Sequence, residues 1–132
     1  MLRELTIHTR ARAEMVLIDD EVRAVVAESG IREGLCILWV PHTTAGVTIN
    51  ENADPDVVTD ILKEMDKVIP LRDNYRHAEG NSAAHIKSSL FGPSLTLVVS
   101  GGDLLLGVWQ SIYFCEFDGP RTRKLHVKVV EG

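Results

Sequence analysis

Cysteine is scarce in this chain, and the two cysteines that it has are poorly placed for a metal site. Cys36 and Cys115 lie far apart inside apolar stretches, and neither belongs to a Cys-x-x-Cys pair. Thiolate zinc sites use closely spaced cysteines, so the spacing argues against such a site. We therefore expect two buried, reduced thiols and a cytoplasmic protein.

Concentrated positive charge is also missing. The 14 Lys and Arg residues are scattered among 19 Asp and Glu residues, which leaves a net charge of −5. Nucleic acids and anionic membrane surfaces attract massed basic residues, so neither is expected as a partner. No apolar run approaches the roughly 20 residues that a membrane helix needs. The opening MLRELTIHTR has no apolar segment typical of a signal peptide, and none is expected.

The 132 residues fit a single domain, 1–132, with a core that needs no disulfides. Alternating and continuous apolar runs predict about seven strands. AEMVLID is predicted to form a hairpin with the first strand, and LLLGVWQSIYFCEF to form one long strand. The predicted fold class is α+β: a mostly antiparallel, β-sandwich-like sheet with two longer helices and one short helix packed on it.

Capping residues mark the three predicted helices. Asp19 or Asp20 is expected to cap the first helix, and Gly30 to end it. Asp54 followed by proline predicts the start of the second helix. The third helix is expected over about 82–91, since Gly92 and Pro93 follow it.

Three of the five histidines are candidates for a functional site. His8 and His126 fall on the polar faces of alternating strands and are expected to be solvated. His42 instead follows the end of a buried strand, where scaffolds present reactive groups. His85 lies off the apolar face of the third helix, and His77 lies in the loop that leads to it.

Three imidazoles with an open coordination position are typical of a catalytic zinc site. Glu79, between His77 and His85, is then a candidate fourth ligand or a base that activates bound water. The spacing His-x-Glu-x₅-His is not a standard metal signature. A helix capped by Asn81 or Ser82 with two exposed histidines explains it equally well, and the spacing leaves both interpretations open.

A second polar segment, HTTAGVTINENADPD, offers hydrogen-bonding groups for a polar ligand and a carboxylate for Mg²⁺. Asn50 and Glu51 are its candidate ligand contacts, although turns also favour asparagine. Elsewhere in the chain, the candidates for a pocket, an interface or phosphate contacts, each with a solvated alternative, are Lys87, Gln110, Glu116, Arg121 and Arg123.

Three segments occur in one order along the chain: PHTTAGVTINENADPDV, HAEGNSAAHIKSSLFG and LLLGVWQSIYFCEFDGPR. Together they resemble the YjbQ-like family, the secondary thiamine-phosphate synthase enzyme family, over nearly the whole chain. The resemblance implies an α+β sandwich-like fold, a homotrimer and a histidine metal site near the subunit boundary. Gly46 and Phe91 depart from the usual residues without affecting the chemistry.

The resemblance also implies roles for individual residues. Its motif histidines fall on His42, His77 and His85, which would hold a divalent metal, zinc above all. Glu79, with His42 and Glu51, would serve catalysis. Its remaining polar motif positions include a set expected to contact a small phosphorylated metabolite, and these are Asn50, Asn81, Lys87, Ser88, Gln110 and Arg121.

The activity attached to this family is a transferase reaction. A hydroxymethylpyrimidine diphosphate is joined to a thiazole phosphate and pyrophosphate is released, with Mg²⁺ as a further candidate cofactor for the diphosphate. Two alternatives accompany this expectation. One is metal-dependent hydrolysis of a small phosphorylated metabolite, and the other is a non-catalytic trimer that binds a metal or small ligand.

Overall fold

The computed structural model describes residues 1–132 and contains eight strands and three helices. The strands are β1 (Leu2–His8), β2 (Glu14–Leu17), β3 (Gly34–Trp39), β4 (Ala45–Glu51), β5 (Ser94–Ser100), β6 (Asp103–Leu104), β7 (Gln110–Glu116) and β8 (Thr122–Glu131). The helices are α1 (Asp19–Ser29), α2 (Pro55–Val68) and α3 (Ser82–Phe91). No helix is both long enough and apolar enough to cross a membrane.

The strands form two antiparallel sheets. The larger sheet has the order β1-β8-β3-β5-β6, and the smaller one has the order β2-β7-β4. Their facing sides share one apolar cluster, which includes Leu38, Phe114 and Val127, all of them fully buried. The predicted α+β class, with mostly antiparallel strands and three helices, is confirmed.

Strand β7 is buried on both of its faces, which its nearly continuous apolar sequence reflects. Ile112 and Phe114 point into the core between the sheets. Tyr113 and Cys115 point the other way and pack with Ala84 of α3. The smaller sheet is therefore the middle layer, and α3 covers its outer side.

Two strand predictions were wrong in the same way. Strand β2 does not pair with β1 but with β7 of the other sheet, while β1 pairs with β8. The predicted long strand over LLLGVWQSIYFCEF is broken: β6 ends at Leu104 in the larger sheet and β7 begins at Gln110 in the smaller one. Both segments cross between the sheets, and an apolar pattern carries no signal for such a crossing.

The predicted capping residues are right for the start of α2 and the end of α1, but the predicted cap of α1 by Asp19 or Asp20 is wrong. The Asp54 carboxylate accepts a hydrogen bond from the Asp56 amide at 2.9 Å and caps α2, as predicted. Gly30 ends α1 in the left-handed region, with φ of 68°. Helix α1 itself begins without a side-chain cap. Asp19 instead accepts a hydrogen bond from the backbone amide of Ile112 at 2.6 Å, which ties α1 to β7.

Helix α3 lies against the start of β4, and this contact positions the candidate site. Ser88 is buried and its hydroxyl donates a hydrogen bond to the carbonyl of Ala45 at 2.8 Å. The backbone amide of Val47 donates to the carbonyl of Gly92, just past the helix, at 3.1 Å. These two contacts set α3 beside the segment that connects β3 to β4.

Candidate functional site

His42 lies in the connection between β3 and β4, and a backbone hydrogen bond fixes its ring. The amide of Lys124 in β8 donates to His42 Nε2 at 2.9 Å. A neutral imidazole that accepts a hydrogen bond at Nε2 carries its proton on Nδ1. His42 Nδ1 has no partner within the chain. His42 is therefore held as a donor, with its N–H free for another molecule.

The pKa of His42 is lowered below its ordinary value of 6.5. Partial burial is the main cause, and the positive charge of Arg123 adds to it. The negative charge of Glu116 and the hydrogen bond from Lys124 offset part of the effect. Near neutral pH the ring is accordingly neutral, which agrees with its acceptor role at Nε2.

Behind His42 lies a buried ion pair between Glu116 and Arg123. Glu116 is fully buried and Arg123 is 4% exposed. Arg123 donates to both carboxylate oxygens of Glu116, through Nε at 2.8 Å and through a terminal nitrogen. The Glu116 carboxylate also accepts from the Thr9 hydroxyl at 2.8 Å, and from the amides of Phe117 and Asp118 at 3.1 Å each.

The net effect of these contacts is to lower the pKa of Glu116. Burial alone would raise it, but the hydrogen bonds from Arg123, the Asp118 amide and Thr9, with the charge of Arg123, outweigh burial. Glu116 is thus an ionised structural carboxylate with five donors. It is neither a pocket-lining group nor an interface group.

His85 stands between two clefts. The first has a volume of about 330 Å³ and is lined by His42, Thr43, His85, Ser88, Ser89 and Pro93. The second has a volume of about 420 Å³ and is lined by Tyr75, Arg76, His77, Ser82, His85 and Ile86. The ring centroids of His77 and His85 are 5.3 Å apart, with an edge-to-face arrangement. The three candidate histidines therefore surround two adjoining clefts, and His8 and His126 line neither.

Glu79 lies beside His77 at the outer edge of this region. One carboxylate oxygen is 3.8 Å from His77 Nε2, and the side chain is 77% exposed. Glu79 lines neither of the two clefts that share His85. Its predicted role as an acid, base or ligand stays a prediction.

Most of the expected phosphate contacts are occupied by other groups in the chain. Lys87 is buried and pairs with Asp66. Asn81 donates to Asp118 at 2.9 Å, and Arg121 donates to the same carboxylate at 3.1 Å. Ser88 lines the first cleft, although its hydroxyl is bonded to a backbone carbonyl.

Asn50, Glu51 and Gln110 lie at the opposite end of the smaller sheet. Glu51 pairs with Gln110 in the register of β4 and β7, whereas Ala45, beside the histidines, pairs with Glu116. Six residues of extended strand separate the two ends by roughly 20 Å. Within one chain, these three residues do not join the histidine clefts.

No group of three or more His, Cys, Asp or Glu side chains is arranged to hold a metal ion. The chemistry of the donors agrees, because the hydrogen bond from Lys124 uses the Nε2 lone pair of His42 and its Nδ1 carries a proton. The predicted zinc site of His42, His77 and His85 does not fit this arrangement and is corrected. Binding of another divalent metal, including Mg²⁺ with a diphosphate, stays a prediction.

The prediction that Arg123 is a turn residue, either in contact with phosphate or solvated, is wrong, because Arg123 is buried in β8. The sequence nevertheless holds a signal for its position. Arg123 lies an even number of residues before Leu125, Val127 and Val129, which all point into the core. Extending that alternation back by two residues would have placed Arg123 inside and called for a buried carboxylate partner.

Comparison with known proteins gives one consistent result. The sequence model of the family described as "UPF0047 protein YjbQ-like" matches residues 3–132. The chain is 53% identical to UPF0047 protein YugU of Bacillus subtilis, over 98% of this chain and 99% of that protein. It is 49% identical to UPF0047 protein MJ1081 of Methanocaldococcus jannaschii, over 98% and 94% of the two chains.

Solved structures share the fold over the whole length. A crystal structure of an uncharacterised conserved protein of the YjbQ/UPF0047 family from Clostridium acetobutylicum matches with a TM-score of 0.95 and 51% identity, over 97% of this chain and 99% of that one. A YbjQ-like protein of unknown function from Sulfolobus solfataricus, SSO2532, matches with a TM-score of 0.96 and 30% identity, over 100% and 97%.

These comparisons correct the expected function. The relatives are described only as family members, some of them explicitly uncharacterised or of unknown function, and none by thiamine-phosphate synthesis or metal binding. The transferase prediction is therefore wrong as stated, and its alternatives are left without the predicted zinc site. The comparisons do show the family: the chain belongs to the UPF0047, YjbQ-like family.

Proposed function

We propose that the histidine clefts bind a small phosphorylated metabolite through its anionic oxygens, without a metal. One observation carries the proposal. The two clefts that share His85 are lined by three imidazoles and one guanidinium, and by no carboxylate. The chain as a whole has a net charge of −5, so clefts whose lining holds no carboxylate favour an anionic ligand, with Glu79 beside His77 at their outer edge.

The hydrogen-bonding groups of the clefts suit phosphate oxygens. His42 has an Nδ1–H without a partner in the chain, since its Nε2 accepts from Lys124. Arg76 brings the planar donor set that matches phosphate geometry. Imidazole rings donate from one nitrogen when neutral and from both when protonated. The lining therefore offers donors where a phosphate monoester offers acceptors.

Helix α3 supports the same ligand class. It is ten residues long and begins at Ser82, which lines the second cleft. The N-terminus of a helix carries partial positive charge and unpaired amides, and it favours anions. The cleft volumes, about 330 and 420 Å³, lie in the range of small-metabolite sites.

Phosphate binding is tested by titrating the protein with inorganic phosphate and with glycerol 3-phosphate, while amide and histidine-ring resonances are followed by NMR. We expect saturable shifts at His42, Thr43 and His85. Glycerol at the same concentrations serves as the uncharged control. The His42→Ala and His85→Ala variants should each lose roughly tenfold in affinity, the effect of one hydrogen bond to a charged group.

His8→Ala and His126→Ala are the matched controls, because both residues lie outside the clefts and should bind phosphate like the wild type. Equal losses in the two pairs of variants would contradict the proposal. Shifts produced by glycerol as strongly as by glycerol 3-phosphate would also contradict it, since they would show that charge is not what the clefts recognise.

A homotrimer and a cytoplasmic location complete the proposal. Leu105, Val108 and Trp109 form an exposed apolar segment between β6 and β7, and Val108 is 91% exposed. Exposed apolar segments commonly mark contacts between subunits. Light scattering should give about 44 kDa, three times the chain mass of 14.6 kDa. Both cysteines are free and buried, which agrees with a reducing compartment.

A further inference from the structure

Two neighbouring residues of β8 hold the connection that carries His42. Lys124 binds the ring directly through its backbone amide. Arg123 donates to the hydroxyl of Thr44 at 2.8 Å and contacts the carbonyl of Thr44 at 3.4 Å. His42 and Thr44 are thus fixed to the same stretch of β8, one by the backbone and the other by a buried guanidinium.

Glu116 in turn fixes Arg123. Its carboxylate binds Nε and a terminal nitrogen of Arg123, which leaves the guanidinium one orientation. The Phe117 amide next to Glu116 donates to the carbonyl of Thr44 at 3.2 Å. Phe117, just after β7, and Arg123 of β8 therefore hold Thr44 from two sides. Neither Glu116 nor Arg123 lines a cleft.

We infer that Arg123, held by Glu116, is a positioning residue that keeps His42 in the Nδ1–H form with its donor facing the ligand. The inference rests on the proposed function of the clefts. It also narrows the ligand, because the group that meets His42 must be a hydrogen-bond acceptor, such as a phosphate oxygen. A group that donates to His42 does not fit.

A positioning role for Arg123 differs from simple stabilisation of the fold. Any buried ion pair affects folding, but this one acts on a single ring through Thr44 and the start of β4. If the guanidinium no longer reaches both Glu116 and Thr44, residues 40–44 are held by fewer bonds. The hydrogen bond from Lys124 then competes with other ring orientations, and the tautomer of His42 becomes mixed.

The tautomer of His42 is measured by long-range ¹H–¹⁵N correlation of the histidine rings at about pH 8, where imidazoles are neutral. In the wild type we expect one neutral form with the proton on Nδ1. Thr44→Val removes the hydroxyl that Arg123 binds at nearly constant volume. Arg123→Lys keeps the positive charge but replaces the planar guanidinium, which binds Glu116 and Thr44 at once, by a single ammonium group.

Both variants should shift the His42 ring toward a mixture of tautomers and weaken phosphate binding by roughly tenfold. Val26→Ala is the matched control, because it opens the core under α1, where Val26 is 1% exposed, and Val26 lines neither cleft. It should lose stability and keep the wild-type ring spectrum. If Arg123→Lys does not fold, the His42 ring spectrum of Thr44→Val alone tests the inference.

A wild-type ring protonated on Nε2 would overturn the inference, and so would folded Thr44→Val with an unchanged His42 spectrum. A failure of the proposed phosphate binding would give a different result from a failure of the positioning role. If phosphate causes no shifts in the wild type while the variants still change the His42 tautomer, the ligand class is wrong and the positioning role stands.

Discussion

Lys87 Nζ donates a hydrogen bond to Asp66 Oδ1, so an ammonium that is only 2% exposed is paired with a carboxylate that is 44% exposed. The pair joins the middle of α3 to the last turns of α2. The hydrogen bond and charge of Lys87 lower the pKa of Asp66, with a smaller contribution from Arg12. Lys87 therefore fixes two helices to each other and does not point into a ligand cleft.

We predict that Asp66→Asn lowers the free energy of unfolding by about 1–2 kcal/mol, because it leaves a buried ammonium with a weaker partner. The full 3–5 kcal/mol of a broken buried pair is not expected, since water screens the exposed side of Asp66. Urea denaturation at neutral pH measures the change. Asp60→Asn, an exposed position of the same helix, is the control. Equal effects of the two substitutions would show that the pair contributes nothing.

Acid sensitivity should follow from Glu116. Its folded-state pKa is lowered, so the unfolded chain binds more protons than the folded chain as the pH falls. The stability from this group is complete above its ordinary pKa of about 4.5 and is lost as the pH falls through the lower folded value. The wild type should therefore lose stability steeply below about pH 4.5.

Glu116→Gln should remove that dependence. The substitution leaves Arg123 buried without a charged partner and lowers stability at neutral pH by about 3–5 kcal/mol. Between neutral and acid pH, the variant should then change less than the wild type. Glu28→Gln, which breaks an exposed pair with Arg3, should keep the wild-type pH profile. A variant of Glu116 with an unchanged acid profile would place the acid sensitivity in other groups.

The position of His42 could be predicted because it depends on local geometry: the residue follows a buried strand. The apolar stripe of a short helix was a poor guide for His85, because α3 buries Lys87 and Ser88 and leaves Ile86 and Leu90 exposed. Glu116 and Arg123 are seven residues apart and on different strands, so their pairing depends on the turn between β7 and β8. The pairing of β2 with β7 depends on a crossing between sheets. Neither relationship has a periodic signal, and both had to come from the structure.

Glycine positions should show a graded cost that depends on what an added Cβ would meet. At Gly34 it would overlap the backbone oxygen of Val130 in the paired strand, which cannot move without breaking the sheet. At Gly46 it would lie 2.8 Å from the carbonyl oxygen of Gly92, at the end of α3. At Gly132 it would meet nothing within 4 Å.

We therefore predict that Gly34→Ala destabilises by about 3 kcal/mol or more, Gly46→Ala by about 1–2 kcal/mol and Gly132→Ala hardly at all. Thermal and urea denaturation give the order. Gly46→Ala should also shift α3 away from β4 and perturb the NMR resonances of His85, because Ser88 is bonded to the adjacent residue Ala45. A reversed order of Gly34 and Gly46 would mean that the helix end is less able to move than the strand.

The two thiols should be almost inert in the folded protein. Burial raises the pKa of Cys36 to about 11, and it also raises the pKa of Cys115. Relative to a thiol at its ordinary value of 9.0, Cys36 has about 100-fold less thiolate near neutral pH. Reaction with a disulfide reagent should therefore be at least about 100-fold slower in buffer than in denaturant, where both thiols react. Thr59→Cys, which places a thiol on an exposed turn of α2, supplies the positive control.

Both native thiols lie in strands at the centre of their sheets, so their reaction requires the sheets to open. The rate of that reaction should rise in parallel with the destabilising substitutions above. A native thiol that reacted as fast as the one introduced in Thr59→Cys would show that one sheet opens locally without global unfolding.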